Sequence, residues 1–573
     1  MPDVRITIDG KEVSVPAGST VLDAAEAAGI DISTLCDHPA VEPIGACRMC
    51  LVEVEKQRVL QPACTFPVSD GMVIHTKSEK VIKARRFVLQ LLFSERNHFC
   101  MYCQMSGSCE LQDLAYEYNL DQWTYERPFP KLPVDASREY FIMDHNRCIL
   151  CRRCIRACDE LVGNKTLGVK NRGTNSMIIA DLDVPFGESS CVSCGTCLQV
   201  CPTGALADRA SAYMGADEEI DRIKSRCVAC SVGCGVELVT RNNRVIRIEG
   251  DWDAEPNDGL LCEIGRFHPL HEQRQRVYKP LIKVEDGWQE ADWEEAVELA
   301  AGKIQGADDD LLSVVSGFVS TETAKAVVDQ LPGQKVAMEG PAPDVESAPL
   351  SAMDEADLFI VVDTDLTVDY QVAGFAIKRG FRHRGARLII VDGEENGLDP
   401  WASIKVSPQE VDDVLDRVED AEYPVIVCDV KALELAQSLA EKIPNSDLVI
   451  LAPGGNSLGL QEAGIGDAFE EDEEAFVYYV LAAETPRMDE GLSQALSEAE
   501  FVIVQASFRE PWEEVADLIL PSPITSERNG TMINAEGRVG QIVAGVDRSL
   551  PSDAEVIERI HETIRAAAPS GGE

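Results

Sequence analysis

The chain of 573 residues carries 99 acidic and 52 basic side chains, which give a net charge of −47 at pH 7. Such a negative field opposes binding to nucleic acid phosphates, and no apolar stretch approaches the roughly twenty residues that a membrane-spanning helix needs. We therefore expect neither a nucleic acid partner nor a direct membrane span.

The N-terminal segment predicts a small sheet packed on a helix. MPDVRITIDGKEVSVPAGSTVLDAAEAAGI contains two alternating strands joined by a DGKE turn, followed by an alanine-rich amphipathic helix. The cysteines that follow are Cys36, Cys47, Cys50 and Cys64. Their spacing differs from the plant-type CxxxxCxxC motif, but Gly45 and Ala46 are small enough to let backbone amides approach cluster sulfides. We therefore predict a β-grasp 2Fe-2S ferredoxin domain over residues 1–78.

The next set combines one histidine with three cysteines, namely His98, Cys100, Cys103 and Cys109. A closed 4Fe-4S site needs four ligands, and His98 is the candidate for the fourth. A lone histidine is more often a surface or core residue than a ligand, and this alternative stays open. In Rieske centres, replacing thiolate by imidazole raises the reduction potential. The set predicts a His/Cys3 4Fe-4S domain over residues 79–140.

Two cysteine runs then repeat the formula CxxCxxCxxxC. This is the bacterial ferredoxin signature, in which three closely spaced thiolates hold one cluster and the fourth reaches over to the other. One predicted 4Fe-4S cluster is therefore held by Cys148, Cys151, Cys154 and Cys201. Its partner is held by Cys191, Cys194, Cys197 and Cys158. Both belong to a predicted two-cluster ferredoxin domain over residues 141–220.

The fifth set is Cys227, Cys230, Cys234 and Cys262. It predicts the fourth 4Fe-4S cluster, in a small domain over residues 221–281. The twentieth cysteine, Cys428, lies in the apolar run YPVIVCDV, which is typical of a buried strand in a parallel sheet. A thiol in such a strand is far more often packing than a ligand.

From residue 282 to residue 573 the sequence alternates apolar strands with helices. The predicted pairs of strand and helix are DLLSVVSG with ETAKAVVDQL, ADLFIVVDT with VAGFAIKRG, and EFVIVQAS with EEVADLIL; ARLIIVD and DLVILAPGG are further strands. This alternation indicates parallel sheets with helices on both faces. The predicted fold class is therefore multidomain, with α+β domains in the cysteine-rich part and α/β domains after it.

Disulfides and structural zinc are the alternatives to iron. The chain begins MPDVRITIDG without an apolar signal segment, and a chain of this length needs no disulfide staples. We therefore expect a protein with reduced thiols that is cytoplasmic, or that lies at the cytoplasmic face of a membrane through its partner subunits. Zinc also uses CxxC pairs, so a zinc-stabilised interaction protein stays an alternative. The repeated ferredoxin formula favours iron.

In this order the five sets resemble the large iron-sulfur subunit of the complex I family, the G-type subunit of the bacterial enzymes. The resemblance is carried by ERNHFCMYCQMSGSCELQDLA, DHNRCILCRRCIRACDE, RGTNSMIIADLD and CVSCGTCLQVCPTGAL. Over roughly residues 1–210 it is closest to the diaphorase iron-sulfur subunit of NAD-linked soluble hydrogenases. Complex I subunits usually have three residues between the ligand histidine and the next cysteine. His98 and Cys100 have one between them, as in the hydrogenase and some formate dehydrogenase relatives.

From Cys227 onward the sequence resembles a molybdopterin oxidoreductase of the formate dehydrogenase type. The resemblance is carried by CVACSVGCGVEL, GLLCEIGRF, GARLIIVDGEEN, GGNSLGLQEAGIG and ADLILPSPITSERNGTMINAEGRVG. The segment from Gly454 to Gly459 and the turn from Asn529 to Thr531 resemble pterin-contacting loops, although Gly-rich loops at strand-to-helix turns are common.

Two features of this part differ from catalytic relatives. Those relatives have a metal-binding Cys, selenocysteine or Ser well after the cluster motif, and a Lys after the last cluster cysteine. Here Cys428 is the only later cysteine, and Ile264 stands at the position of the Lys. The sequence also ends soon after INAEGRVGQIV, without the domain that closes the cofactor cleft in pterin-binding relatives. We therefore expect a degenerate domain over residues 282–573, with no molybdopterin and no catalytic residues.

No GxGxxG segment opens a strand-turn-helix unit, so the sequence indicates no NAD or flavin site of its own. The resemblance implies an electron-transfer subunit with one 2Fe-2S and four 4Fe-4S clusters. Its implied partners are an NADH- and flavin-binding subunit, a small thioredoxin-like 2Fe-2S subunit, a hydrogenase module and, if the flavin divides its electrons, a ferredoxin. The corresponding G-type subunit of respiratory complex I and a catalytic molybdenum or tungsten formate dehydrogenase are the alternatives. Linear and bifurcating electron flow both stay open.

Overall fold

The computed structural model describes residues 3–122, 124–126, 130–307, 310–340, 345–415, 417–418, 420–470 and 475–567. The chain divides into two compact units, Met1–Ile220 and Asp221–Glu573. The first unit contains four of the five cysteine sets, and the second contains the fifth. Among the helices of the described ranges, none is long and apolar enough to cross a membrane.

The first unit begins with a mixed five-stranded sheet. Its strand order is Lys11–Pro16, Asp3–Ile8, Val73–His75, Leu51–Val54 and Gln61–Pro62. The outer hairpin is antiparallel, and Val73–His75 runs parallel to the N-terminal strand. Helix Val21–Ala27 begins after Thr20, whose hydroxyl accepts a hydrogen bond from the Asp23 amide and so caps the helix. This is a β-grasp arrangement, and the hairpin and helix predicted from the sequence are confirmed.

The rest of the first unit consists of short elements between the cysteine loops. Its helices are Glu79–Glu95, Glu110–Glu117, Arg153–Arg156 with the π-helical continuation Ala157–Leu161, and Thr196–Gln199. Its strands are Leu206–Asp208, Phe141–Asp144 and Val134–Asp135 in one sheet, and Leu167–Lys170 paired with Met177–Ala180. Arg153–Arg156 and Thr196–Gln199 each begin inside a cysteine run, so the repeated sequence formula gives a repeated local structure.

The second unit begins with an antiparallel sheet that frames the fifth cysteine set. Its strands are Asp221–Arg226, Gly235–Thr240 and Val245–Gly250, paired in sequence order. The loop between the first two strands contains Cys227, Cys230 and Cys234. Helix Glu263–Phe267 begins directly after Cys262. The set therefore lies between one tight loop and one helix start.

Two larger sheets follow. The seven-stranded sheet has the order Gly287–Glu290, Leu281–Val284, Leu518–Pro521, Phe501–Ala506, Val477–Ala483, Leu311–Val315 and Gln334–Ala337. Its last five strands run parallel, whereas Leu281–Val284 is antiparallel to both neighbours. The five-stranded sheet is parallel throughout, in the order Ile404–Val406, Arg387–Val391, Leu358–Val362, Pro424–Asp429 and Asp447–Leu451. The predicted parallel sheets are confirmed, and apolar clusters bury them as such sheets require.

The helices that accompany these sheets are Trp293–Ala307, Thr321–Gln330, Gln371–Arg379, Asp412–Leu415, Leu433–Lys442, Ser457–Ala463, Glu490–Glu498 and Asp553–Ala567. A π-helical turn, Gly380–Arg384, continues the third of them. A separate hairpin pairs Gly530–Ile533 with Val539–Ile542.

One helix predicted for this unit is wrong. The sequence predicts a helix in EEVADLIL, but the segment contains the end of a 3₁₀ turn, Trp512–Glu514, and then the strand Leu518–Pro521. All four strand residues are buried, between the parallel neighbour Phe501–Ala506 and the antiparallel neighbour Leu281–Val284. An apolar run of this length is compatible with a buried strand as well as with a helix. Here it forms a strand because it pairs with strands on both sides.

Candidate iron-sulfur sites

The first cysteine set lies within the β-grasp domain. Cys50 and Cys64 flank two paired strands, and this pairing brings their sulfur atoms to 3.4 Å. The Cys36 amide donates to the Cys47 sulfur at 3.3 Å, and the Cys47 amide donates to the Cys36 sulfur at 3.4 Å. Hydrogen bonds from Cys47 and then Cys64 lower the pKa of the Cys36 thiol. The structure therefore brings all four predicted residues of this set together.

The residues of the second set line one cavity. Four of the residues in its wall are His98, Cys100, Cys103 and Cys109. The His98 ring packs edge-on against Phe93, with the ring centroids 5.5 Å apart. Cys109 is the N-cap residue of the helix that follows it, and burial raises the pKa of its thiol to about 12. His98 thus faces the same cavity as the three cysteines that the sequence places with it.

The two ferredoxin-type runs adopt the same local backbone. Leu150 and Ser193 each lie two residues after the first cysteine of a run, and both have a positive φ, 56° and 52°. Their amides donate to the sulfur atoms of Cys148 and Cys191, each at 3.4 Å. Hydrogen bonds to the charged form of a group favour that form, and those to cluster sulfurs adjust the reduction potential. The repeated formula therefore produces a repeated N–H···S geometry that suits metal-bound thiolates.

The last cysteine of each run lies with the other run. One cavity is lined by Cys148, Cys151, Cys154 and Cys201. The cysteines that act electrostatically on Cys197 are Cys194, Cys191, Cys154 and Cys158. The structure thus brings the eight cysteines together in two crossed groups. Cys154 lies close to both groups, so the two sites are neighbours.

The fifth set lies in the second unit. The Cys227 amide donates to the Cys234 carbonyl at 2.9 Å and closes the loop between them. The Gly265 amide donates to the Cys262 sulfur at 3.3 Å. A Cβ on Gly265 would lie 3.3 Å from the Cys227 sulfur and 3.7 Å from the Cys262 sulfur, so both sulfurs face one space. Cys230 completes the group as an electrostatic neighbour of Cys234.

Burial dominates the thiol chemistry of the buried sets. It is the largest cause that raises the pKa of Cys148 to about 11, and of Cys151 and Cys227 to about 12. A thiolate in such surroundings is costly unless a cation compensates it, and a bound metal does so. Groups of four thiols, with amides directed at their sulfurs, fit the iron-sulfur clusters that cysteine thiolates hold. Within the described ranges, no group of three or more His, Cys, Asp or Glu side chains forms a site for a single metal ion.

Arginines that the sequence interpretation did not single out support the cysteine loops. Arg138 donates to the Cys191 carbonyl at 2.5 Å and to the Ser193 hydroxyl at 3.1 Å. Arg153 and Arg156 are buried on either side of Cys154. For Arg153 and Arg156, the only local signal was their position inside CILCRRCIRAC, because their partners lie tens of positions away in the sequence. Arg138 lies outside that segment.

The Gly-rich segment that resembles a pterin-contacting loop packs against the protein itself. A Cβ on Gly455 would lie 2.7 Å from the Cα of Val228, so the backbones approach closely here. The Asn456 side chain donates to the Val319 carbonyl at 2.9 Å and accepts from the Ile533 amide at 2.8 Å. These contacts make the loop part of the internal packing of the second unit.

Cys428 lies in a buried strand, and Ile264 lies in a short helix. Cys428 is fully buried in the middle of the five-stranded sheet, between Val362 and Ile450 on the neighbouring strands. Burial raises the pKa of its thiol to about 12. The predicted buried strand around it is therefore confirmed. Ile264 lies in helix Glu263–Phe267 and presents an apolar side chain next to the fifth cysteine set.

Five family models match the chain in succession. They describe a 2Fe-2S iron-sulfur cluster binding domain (residues 2–79), an NADH-ubiquinone oxidoreductase-G iron-sulfur binding region (85–122), an NADH-quinone oxidoreductase subunit 3 ferredoxin-like domain (140–207), a molybdopterin oxidoreductase Fe4S4 domain (220–273), and a molybdopterin oxidoreductase (276–418 and 433–554). Every cysteine set lies inside one of the first four matches.

Similar proteins cover most of the chain. The mitochondrial NADH-ubiquinone oxidoreductase 78 kDa subunit of Candida albicans is 26% identical over 99% of this chain and 84% of its own length. The NADH-quinone oxidoreductase subunit 3 of Thermus thermophilus is 27% identical over 94% of this chain and 79% of its own length. Among solved structures, a chain of an NAD+-reducing [NiFe]-hydrogenase in the H2-reduced state is 35% identical over 37% of this chain and 90% of its own length, with a TM-score of 0.35.

Proposed function

The chain belongs to the family of iron-sulfur subunits that includes NADH-quinone oxidoreductase subunit 3 and its G-type counterparts, and on this premise we propose that it relays single electrons in a multisubunit NAD-linked oxidoreductase. Electrons enter from a subunit that binds NADH and flavin, and they leave to a catalytic module. The observation that carries the proposal is the gathering of nineteen cysteines and His98 into five groups of four.

When bound, one 2Fe-2S and four 4Fe-4S clusters supply one-electron oxidation and reduction at these groups. The residues of the chain fix where each group lies and how much water reaches it. The amides of Leu150, Ser193 and Gly265 donate to cysteine sulfurs and stabilise their thiolate form. In this proposal the subunit contributes no catalytic residue of its own, and hydride chemistry takes place at the flavin of its partner.

We propose a hydrogenase as the catalytic module. The support is the single residue between His98 and Cys100, which resembles hydrogenase relatives more than complex I. The other proposed partners are a small thioredoxin-like 2Fe-2S subunit and a ferredoxin, all in the cytoplasm. Purification of the native complex tests this choice. Hydrogen-dependent reduction of NAD+ by the complex supports the hydrogenase, whereas NADH-dependent reduction of quinone identifies a respiratory complex I.

We further propose that the second unit holds no molybdopterin. The support comes from the internal contacts of Gly455 and Asn456, the buried position of Cys428 and the apolar Ile264. A catalytic formate dehydrogenase is the competing function, and it requires molybdenum or tungsten near one atom per chain.

Elemental analysis of anaerobically purified protein tests the relay and the missing cofactor together. We expect about 18 iron atoms per chain, the sum over five clusters, with matching acid-labile sulfide and no molybdenum or tungsten. The isolated subunit should be reduced by dithionite and show no oxidation of NADH. A colourless sample with zinc in place of iron would overturn the relay. Stoichiometric molybdenum or tungsten would overturn only the proposal that the second unit holds no molybdopterin.

A further inference from the structure

A buried arginine joins the first cysteine set to the third, which is the group formed by Cys148, Cys151, Cys154 and Cys201. Arg156 lies two residues after Cys154, in helix Arg153–Arg156, and is 6% exposed. Its guanidinium donates to the carbonyl oxygens of Cys36 and Glu42, both in the loop of the first set. The planar fork of the guanidinium allows both bonds at once. The helix that carries Cys154 is therefore tied to the loop that carries Cys36.

A second contact strengthens this connection. The Glu42 amide donates to the Glu160 carboxylate at 2.8 Å, and Glu160 lies in the π-helical continuation of the same helix. The loop of the first set is thus bonded to this helical segment from both sides of Cys158.

Arg153, one turn earlier, makes a different connection. Its two terminal nitrogens bond to the Glu110 carboxylate at 2.6 and 2.9 Å, and one of them also donates to the Val200 carbonyl at 3.4 Å. Glu110 follows Cys109 of the second set, and Val200 precedes Cys201 of the third. The charge of Arg153 therefore has a carboxylate directly against it, whereas Arg156 donates to two neutral carbonyl groups.

The positive charge of Arg156 acts on residues in the loop of the first set. Asp37 and His38 directly follow Cys36, and both arginines of the helix act on them electrostatically. Burial and then the two arginines lower the pKa of His38 to about 4, which keeps its ring neutral. Asp37, Asp23 and Glu160 are anions around the contact of Arg156 with this loop, and Arg153 is a second cation, which is paired with Glu110.

We propose that Arg156 is a positioning residue for the transfer of one electron between the first and third cysteine sets. It fixes the separation of the Cys36 loop from the Cys154 helix, and its buried charge favours the reduced, more negative state of both sites. The step moves one electron and neither forms nor breaks a covalent bond. The inference rests on the proposed function, since both sets must hold clusters.

Three variants of the full chain distinguish the effect of the Arg156 charge from the effect of its two hydrogen bonds. R156Q removes the charge and the fork, R156K keeps the charge without the fork, and R172Q removes an equal charge from an exposed position in the same unit. Each is loaded with clusters, its iron is measured, and EPR follows both sites during redox titration and after a rapid pulse of reductant.

We expect R156Q to lower the ratio of reduced to oxidised first-set cluster about tenfold at a fixed potential, a midpoint shift of about 59 mV for one electron. R156K should keep this ratio within about twofold of the unsubstituted protein but equilibrate electrons between the two sites about tenfold more slowly. R172Q should change neither quantity, because solvent screens its charge.

The outcomes distinguish this inference from the proposed function. An unsubstituted protein without clusters overturns the proposed function and the inference with it. Full iron in the unsubstituted protein and in R156Q, with identical titrations and equilibration, overturns the inference alone. If R156Q loses iron, the result with R156K tests the inference instead. Electron equilibration between the two sites of R156K that is as fast as in the unsubstituted protein overturns the inference. Slower equilibration in R156K supports it.

Discussion

Gly204 lies directly against Cys103: a Cβ on Gly204 would come within 2.6 Å of the Cys103 sulfur. Both residues line the cavity of the second cysteine set. Real Cβ atoms do not approach other heavy atoms so closely, and the sulfur cannot retreat without leaving its set. Glycine at this position therefore keeps the site open for a cluster.

Gly204→Ala should empty the second site. The added methyl group displaces the Cys103 sulfur, so we expect iron to fall by about four atoms per chain, from about 18 to about 14. Gly168→Ala is the matched control in the same unit, since a Cβ there meets nothing within 4 Å. Iron and sulfide analysis of both variants gives the answer. Full iron in Gly204→Ala would show that Cys103 does not need this space.

Substitutions of His98 should reveal its role through iron content and potential. His98→Ala removes the proposed fourth ligand and should lose about four iron atoms or leave a site with altered EPR. His98→Cys supplies a thiolate instead of an imidazole, and the added negative charge should keep the iron while lowering the potential of that site. His75→Ala, at an exposed position, is the control. Unchanged iron and EPR in His98→Ala would exclude ligation.

The crossed grouping of the ferredoxin-type cysteines predicts which variants resemble one another. Cys201→Ser should disturb the same EPR signal as Cys148→Ser, because both residues line one cavity. Cys158→Ser should disturb the signal that Cys191→Ser disturbs, because the two cysteines act on each other electrostatically. EPR of the four reduced variants tests the pairing. The crossed arrangement would be contradicted if the variants of Cys148 and Cys158 disturbed one EPR signal and those of Cys191 and Cys201 the other.

Glu339 should give the second unit a pH-dependent stability. Its carboxylate accepts hydrogen bonds from the Ser316 hydroxyl at 2.5 Å and the Gly317 amide at 2.7 Å, but burial still raises its pKa above the ordinary value of 4.5. A raised carboxyl pKa means that the folded state binds the proton more tightly than the unfolded state. The contribution of Glu339 to stability therefore grows as pH falls through its folded pKa, and is smallest above that pKa.

Glu339→Gln removes this titration. The free energy of unfolding of the unsubstituted protein, minus that of the variant, should increase as the pH falls from above the folded pKa of Glu339 toward its ordinary value of 4.5. Thermal unfolding of the loaded protein at several pH values measures it, with the exposed Glu355→Gln as control. Parallel pH profiles for the unsubstituted protein and Glu339→Gln would refute the effect.

Local patterns predicted the parts of this protein that depend on short segments. The hairpin before Val21–Ala27, the repeated cysteine loops and the strand around Cys428 each follow from spacing or apolar runs within a few residues. Contacts between distant segments could not be predicted in this way. Arg156 bonds to a carbonyl 120 positions earlier, and no local pattern marks the partner. The strand Leu518–Pro521 was mistaken for part of a helix for the same reason, since its neighbours come from elsewhere in the chain.

A substitution of Cys428 tests whether this thiol is structural or binds a metal. The structure buries it completely in the inner parallel strand Pro424–Asp429, where it belongs to the apolar core packed on the five-stranded sheet. Cys428→Ala should therefore leave a small cavity and lower the free energy of unfolding by about 1 kcal/mol. Iron content, reduction by dithionite and electron transfer should all stay unchanged, because the residue belongs to none of the five groups. Thermal unfolding and iron analysis of the loaded protein check both statements. A loss of bound metal in this variant would mean that Cys428 is a ligand, and the catalytic molybdenum or tungsten function would then replace the relay for the second unit.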